Sequence, residues 1–167
     1  MRVKELKDFY KPSILVCLGD SWHDKNAGER ISPKELDILN NMVRDTKAWL
    51  WILGNHDPEV PESVEGDSLP TFELEGIEML HYPEKLPLKS PTICGHFHPK
   101  AKIDLTGYKI SGKTFVKTEN LMIMPSMGDY TGGLDISRPE MRKIIGPGKF
   151  NFFFCHKNKI YQYERNN

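Results

Sequence analysis

Three short apolar segments of the chain end in the same way, each at a glycine that is followed by polar side chains. The segments span residues 13–19, 48–54 and 91–95, and the groups that follow them are carboxylates, an amide and imidazoles. Apolar runs of this length are typical of buried β-strands. In α/β proteins, ligands bind at the carboxyl ends of the strands. The pattern therefore predicts an α/β fold whose functional groups gather where strands end.

The histidines concentrate around these strand ends. Five of the six lie in such segments: His23, His56, His81, His96 and His98. In an extended backbone, two histidines that are two residues apart, such as the last pair, point their rings to one side. His156 instead closes a run of phenylalanines and is interpreted as a residue at the edge of the core. Taken alone, residues 54–57 fit a surface turn equally well, but the recurrence of the pattern favours a metal or catalytic site.

The composition fits a small protein without a strong overall field. The chain has 167 residues, of which 23 are basic and 23 acidic, so its net charge does not recruit nucleic acid. The length is that of a single domain over residues 1–167. Three cysteines without close spacing favour buried thiols in a reducing compartment. Because no apolar segment approaches the ~20 residues of a membrane span and no signal peptide is evident, we expect a cytoplasmic protein without membrane partners.

Basic residues gather in the second half of the chain. They are Lys100, Lys102, Lys109, Lys113 and Lys117, followed by Arg142, Lys143 and Lys149. Lysines that keep edge strands from pairing with other chains are the favoured interpretation. A track for a phosphate backbone is the alternative.

Local patterns predict one clear helix and many strands. The helix, residues 33–46, begins with a capping box from Ser32 to Glu35. It connects strands 13–19 and 48–53 as a β-α-β crossover, and residues 58–70 are predicted to form a loop. The remaining strands are predicted at residues 71–75, 77–82, 92–96, 101–106, 121–125, 150–155 and 159–164.

Four motifs in a fixed order carry a resemblance to a known family. They are Gly19-Asp20, Gly54-Asn55-His56-Asp57, His81 and Gly95-His96-Phe97-His98. This order resembles that of the calcineurin-like metallophosphoesterases. Residues 18–24 and 124–135 also look like those of the ligase-associated DNA-damage-response endonucleases of bacteria. The resemblance implies an α/β fold, the calcineurin-like αββα sandwich of two mixed sheets flanked by helices. It also implies a metal-dependent phosphodiesterase or endonuclease, linked to DNA repair and to repair proteins as partners.

The resemblance further implies a metal centre. One metal is expected to have a complete set of ligands, which are Asp20, Asn55, His81 and His96. His98 matches a ligand of the second metal. Asp20 matches the family's bridging aspartate, which binds both metals. Oxygen and nitrogen donors without thiolate fit divalent transition metals, manganese first, with iron, zinc or cobalt as alternatives. Two such metals clamp a phosphoryl group and generate the attacking hydroxide.

Other residues match catalytic and substrate-binding positions. His56 corresponds to the family's catalytic histidine, which is not a ligand and protonates the leaving oxygen. Asp57 is expected to hold that imidazole in the required tautomer. Three residues of the endonuclease-like segments are candidates for substrate binding, namely Trp22, His23 and Tyr130.

One motif of the family is absent. The family's first strand carries an Asp-x-His motif that binds the second metal, whereas residues 1–12 contain no histidine. Asp8 is not a substitute, because residues 3–10 have a charged, helix-like pattern. We therefore expect a chain that starts later than its relatives, lacks the first strand and binds one metal well. The alternatives are a weakly active or non-catalytic remnant that binds one metal, and a phosphoesterase of non-nucleic substrates.

Overall fold

The computed structural model describes residues 2–22, 26–105, 107–128 and 131–167. Within these residues the fold is mixed α/β, with one sheet of three strands and one of eight, as the sequence predicts. The chain divides into two compact units, residues 1–72 and 73–167, and the single domain stays a prediction. None of the described helices is long and apolar enough to cross a bilayer.

The first unit contains a parallel sheet in the order β1-β2-β3. Its elements in chain order are α1 (Arg2–Tyr10), β1 (Ile14–Cys17), α2 (Ala27–Arg30), α3 (Pro33–Arg44), β2 (Ala48–Ile52) and β3 (Asp67–Leu69). The predicted β-α-β crossover is thus confirmed. β3 lies inside residues 58–70, which the sequence predicts as a loop. It was not predicted because its three residues are too few to show the alternation of a strand.

Helix α3 begins where the sequence predicts and packs through one apolar face. The Ser32 hydroxyl accepts a hydrogen bond from the Glu35 backbone N–H, and the Glu35 carboxylate accepts one from the Ser32 N–H. Met42 and Val43 are buried against the two tryptophans of β2, Trp49 and Trp51. The helix therefore covers one face of the parallel sheet.

The eight-stranded sheet has the order β11-β10-β8-β9-β6-β5-β4, with β7 paired to β8. Its elements are β4 (Thr71–Leu74), β5 (Ile77–Leu80), β6 (Thr92–Cys94), β7 (Lys100–Leu105), β8 (Tyr108–Lys117), β9 (Leu121–Ile123), α4 (Pro139–Ile145), β10 (Lys149–His156) and β11 (Lys159–Asn166). On one face, Met141 and Ile144 of α4 lie in the same buried cluster as Phe152 and Phe154 of β10.

Strand β8 was not among the predicted strands. Its sequence alternates, with Thr114 and Val116 fully buried, but Gly112 and several lysines make it resemble a loop. The glycine is required by packing, since a Cβ at this position would lie 2.8 Å from the ring of Phe154. The alternation of polar and apolar residues in β8 was the sequence signal for a strand. Gly112 weakened this signal, because glycine is uncommon inside strands.

Strand β1 lies at the edge of the three-stranded sheet, where β2 is its one strand partner among the described residues. The Ala48 N–H donates to the Ser13 carbonyl at 3.1 Å, so alternate peptide groups of β1 face β2. The peptide groups of Ile14 and Val16 face the other edge. An apolar edge with unpaired backbone groups favours pairing between chains.

We predict that Ile14→Lys reduces self-association of the protein, because a lysine on an edge strand disfavours pairing with another chain. Ile14 is 37% exposed, and Ile38 on α3, at 38%, provides the matched control. Sedimentation equilibrium over a range of concentrations should show a mass that rises for the natural sequence and for Ile38→Lys, and rises less for Ile14→Lys. A constant monomer mass for the natural sequence would contradict the prediction.

Candidate functional site

Asp57 is a buried carboxylate that joins the loops after β1 and β2. It is 2% exposed and accepts four backbone hydrogen bonds of 2.7–3.1 Å, from the N–H groups of Asp20, Ser21, Trp22 and Gly54. Hydrogen bonds to an ionised acceptor are stronger than those between neutral groups. The carboxylate therefore fixes residues 20–22 beside the loop that carries residues 54–57.

Asp20 returns this connection through its own side chain. Its Oδ1 accepts a hydrogen bond from the backbone N–H of His56 at 2.9 Å. The Asp20 backbone has a φ of 49°, a left-handed conformation that L-residues rarely adopt and that costs about 1–3 kcal/mol. The reciprocal bonds hold Asp20 in this conformation and place its carboxylate beside the start of the His56 segment.

Gly54 is required by close approach rather than by its own backbone conformation. A Cβ at this position would overlap the backbone nitrogen and carboxylate oxygen of Asp20 and the carboxylate of Asp57. A glycine therefore allows the two carboxylate-bearing loops to come together. This close approach explains why a glycine follows the apolar run of residues 48–53.

The structure gives Asp57 a role in addition to the one expected from the sequence. The hydrogen bonds described for its carboxylate come from backbone N–H groups, and the His56 imidazole is not among these donors. Asn55 and His56 are both exposed. Asp57 thus shapes the two loops, because four amides converge on its oxygens, and its role in orienting the imidazole stays a prediction.

In the second unit, His81 and His96 are brought together by neighbouring parallel strands. His81 follows β5 and His96 comes shortly after β6, and the two strands pair in parallel. The His96 Nδ1 lies 3.1 Å from the His81 Nε2, with the rings nearly perpendicular at 89°. His81 is 5% exposed. Two imidazole nitrogens therefore converge at one point.

The spacing of these nitrogens fits a shared metal ion. Two imidazoles that bind one ion at about 2.0–2.1 Å, with octahedral or tetrahedral angles between them, place their nitrogens about 2.9–3.4 Å apart. The observed 3.1 Å lies in this range. The same distance is that of a hydrogen bond between the two imidazoles, so the spacing is compatible with two ligands of one metal and equally with a hydrogen-bonded pair.

The loop that carries His96 and His98 is a turn and not the extended segment assumed from the sequence. The Phe97 N–H donates to the Gly95 carbonyl at 2.7 Å. His96 and His98 have φ values of 59° and 46°, so both adopt left-handed backbone conformations. The sequence argument that the two rings lie on one side of a strand was therefore wrong. The turn also explains why β6 ends at Cys94 rather than at residue 96.

Aromatic rings surround the histidine pair, and one of them was missed in the sequence. Tyr82 is 42% exposed, and its ring centroid lies 4.9 Å from that of His96 and 5.6 Å from that of Phe97. Its position directly after His81 was the available signal. The tyrosine provides a partly exposed aromatic face beside the imidazoles.

The remaining candidates lie elsewhere. Trp22 packs against the core of the first unit, with its ring 5.6 Å from that of Trp51, which favours a packing role over stacking on a substrate. His23 and Tyr130 lie outside the described residues. Burial raises the pKa of the Cys17 and Cys94 thiols to about 12, so both are neutral thiols near pH 7.

Comparisons with known proteins show the family of the chain and the likeness of its fold. Residues 2–122 match the sequence profile of the calcineurin-like phosphoesterases. The fold is similar to the crystal structure of Pseudomonas putida nuclease MPE, with a TM-score of 0.71 over 97% of this chain and 77% of that one. Sequence identity to that nuclease is 21%, so the likeness is one of fold. A search of curated proteins gave no significant match.

We predict that Asp57→Asn lowers the free energy of unfolding by about 2–4 kcal/mol, because an amide keeps one acceptor oxygen and turns N–H groups towards backbone donors. Urea unfolding in the absence of metal measures the change. Asp37→Asn, at an exposed position of α3, is the control and should change stability by less than about 0.5 kcal/mol. Equal effects of the two substitutions would contradict the assigned role.

Proposed function

The chain belongs to the calcineurin-like phosphoesterase family, and from this membership we propose that it is a metal-dependent hydrolase that cleaves phosphodiester bonds. The observation that carries the proposal is the convergence of the His81 and His96 ring nitrogens at 3.1 Å. Such paired imidazoles at the ends of adjacent parallel strands suit a metal centre. The reciprocal loop bonds of Asp20 and Asp57 support a rigid carboxylate for the same purpose.

We propose that the family's ligand pattern applies to these residues. One metal is assigned a full set of ligands, Asp20, Asn55, His81 and His96. A second metal would be held by His98 together with Asp20. When bound, the metals polarise the phosphoryl oxygens and supply a nucleophile at neutral pH. Manganese is the first choice, because its preference for oxygen and nitrogen donors suits this set.

His56 is proposed as the proton donor to the leaving oxygen. Its backbone N–H is held by the Asp20 carboxylate at 2.9 Å, while its side chain stays exposed and accessible to a substrate. An imidazole is the side chain that most often acts as a general acid in catalysis. Asp57 contributes through the loop geometry that it fixes.

A nucleic acid is the proposed substrate. The motif order and the endonuclease-like segments 18–24 and 124–135 favour this class, and the similar fold belongs to a protein described as a nuclease. A role in DNA repair, with repair proteins as partners, and a reducing compartment such as the cytoplasm are parts of the same proposal. The three free cysteines support the compartment.

One alternative function follows from the proposed ligand assignment. With His98 and Asp20 as the assigned ligands of the second metal, that ion is held by fewer groups than the first. Weak binding of one metal would make the chain a slow hydrolase or a metal-binding protein without turnover. The two predictions that follow separate the possibilities.

We predict that the protein binds one divalent transition metal tightly and a second weakly. His81→Ala should weaken the tight site by more than about 100-fold, whereas His98→Ala should leave most of it, because His98 is assigned to the other metal. Calorimetric titration with Mn²⁺ and elemental analysis after gel filtration measure this. His156→Ala, at the end of β10, is the control. Two retained metals, or equal losses for the first two variants, would refute the assignment.

We predict slow hydrolysis of an aryl phosphodiester that increases between micromolar and millimolar Mn²⁺. His56→Ala should lower kcat by about 10²–10⁴-fold without changing metal content, because the imidazole donates a proton but binds no metal. The same His156→Ala protein serves as the control. Full activity of His56→Ala would show that His56 is not the proton donor. Inactivity of the natural sequence with metal bound would favour a metal-binding protein without turnover.

A further inference from the structure

Four lysines share one face of the hairpin that β7 and β8 form. The antiparallel register places Lys100 opposite Lys113, Lys102 opposite Ser111, and Asp104 opposite Lys109. Residues directly opposite each other in an antiparallel pair lie on the same face of the sheet. Along one strand, every second residue lies on the same face. We call the face that carries Lys100, Lys102, Lys109 and Lys113 the lysine face.

The other face of the hairpin is used by the core. Ala101 and Ile103 of β7 are buried, and they belong to the same cluster as Met141 and Ile144 of α4. The alternation of the strands therefore leaves the lysine side chains on the face away from α4. Lys102 and Lys109 are exposed.

Protection of a strand edge explains only part of this arrangement. β7 pairs with β8 alone among the described strands, so lysines on β7 fit the edge-protecting role. Strand β8 pairs with β9 and β10 through residues 114–117, whereas residues 108–113, which include Lys109 and Lys113, pair with β7 alone among the described strands. Edge protection therefore also fits Lys109, and the pairing of Lys100 with Lys113 is the feature that it does not explain. Like charges directly opposite each other, as in the pair Lys100 and Lys113, also destabilise a ladder. The face therefore gathers positive charge beyond what edge protection requires.

The acidic residue on this face has a structural task. The Asp104 carboxylate accepts a hydrogen bond from the Gly107 N–H at 3.1 Å and so closes the turn between the two strands. Lys113 donates to the Gly128 carbonyl at 2.6 Å, which anchors the segment that follows β9. Lys102 and Lys109 are the exposed lysines of this face. Each has a carboxylate neighbour: Asp135, which forms a β-bridge with Lys100, acts on Lys102, and Asp104 lies opposite Lys109.

We propose that the lysine face binds the phosphodiester backbone of a polynucleotide. The inference rests on the proposed function and assigns it a substrate-binding surface. β7 has six residues, and at about 3.3 Å per residue it extends about 20 Å. Lysines spread along such a length suit a chain of phosphates, whereas one isolated phosphate requires donors that converge on a point.

The location of the hairpin suits a substrate that also reaches the histidine loop. β7 begins at Lys100, two residues after His98 and directly after the buried Pro99. The lysine face therefore starts beside the turn of His96 and His98 and runs away from it. A polynucleotide that follows this face has its backbone led towards the imidazoles.

The test is binding of a fluorescently labelled 30-base-pair DNA duplex in EDTA, where neither metal-dependent binding nor cleavage contributes. Fluorescence anisotropy at several salt concentrations compares the natural sequence with Lys102→Gln/Lys109→Gln. We expect the double variant to lose affinity about tenfold or more at 0.1 M salt, and the slope of log affinity against log salt to fall by about 2.

The control is Lys89→Gln/Lys143→Gln, which removes two exposed lysines of the same unit. Lys143 lies on α4, on the opposite face of the sheet. The affinity of this control variant for the DNA should change less than about twofold. Circular dichroism should show the same melting temperature for both double variants. Unchanged DNA binding by Lys102→Gln/Lys109→Gln, or an equal loss in the control, would overturn the proposal.

A second arm separates a polynucleotide from an anionic membrane surface. Cosedimentation with phosphatidylserine vesicles should show no dependence on Lys102 and Lys109. A lysine-dependent association with vesicles but not with DNA would overturn the proposal in favour of a lipid surface. Because binding is measured without metal, a failure of this proposal is distinct from a failure of phosphodiester hydrolysis, which the metal-dependent assay reports.

Discussion

The convergence of four backbone N–H groups on the buried carboxylate of Asp57 is the interaction on which the polar loops of the first unit depend. It ties the loop after β1 to the loop after β2. Asp20 is thereby kept in a strained left-handed conformation, and its carboxylate in turn holds the backbone of His56. The polar residues at the ends of both strands are therefore positioned by each other as much as by the strands.

The histidine pair of the second unit is built differently. Here two parallel strands, β5 and β6, end side by side and deliver His81 and His96 to the same place. Left-handed backbone at His96 and His98 stores strain, which the pairing of the sheet strands and the buried Pro99 sustain. Strain of this kind is characteristic of binding and catalytic loops. In both units, rigid strands support short loops that adopt one costly conformation.

The charge of the chain acts locally rather than globally. The protein has no net charge, so its overall field does not attract a polyanion. Strand alternation nevertheless gathers four lysines on one face of a hairpin, next to the histidine loop. Composition averages over the surface, whereas the register of two strands decides which charges are neighbours.

The sequence by itself determined the elements whose signals are local. The capping box at Ser32, the apolar runs of β1 and β2, and the polar residues after them were readable because each depends on neighbours in the chain. Only the tertiary structure decided the task of Asp57 and the need for glycine at residue 54, because both depend on contacts with Asp20, which lies more than thirty residues away in the chain. Strand β8 was likewise hidden, since Gly112 has its reason in the ring of Phe154. Contacts between distant segments leave no periodic trace in a sequence, and they are what gives the site its geometry.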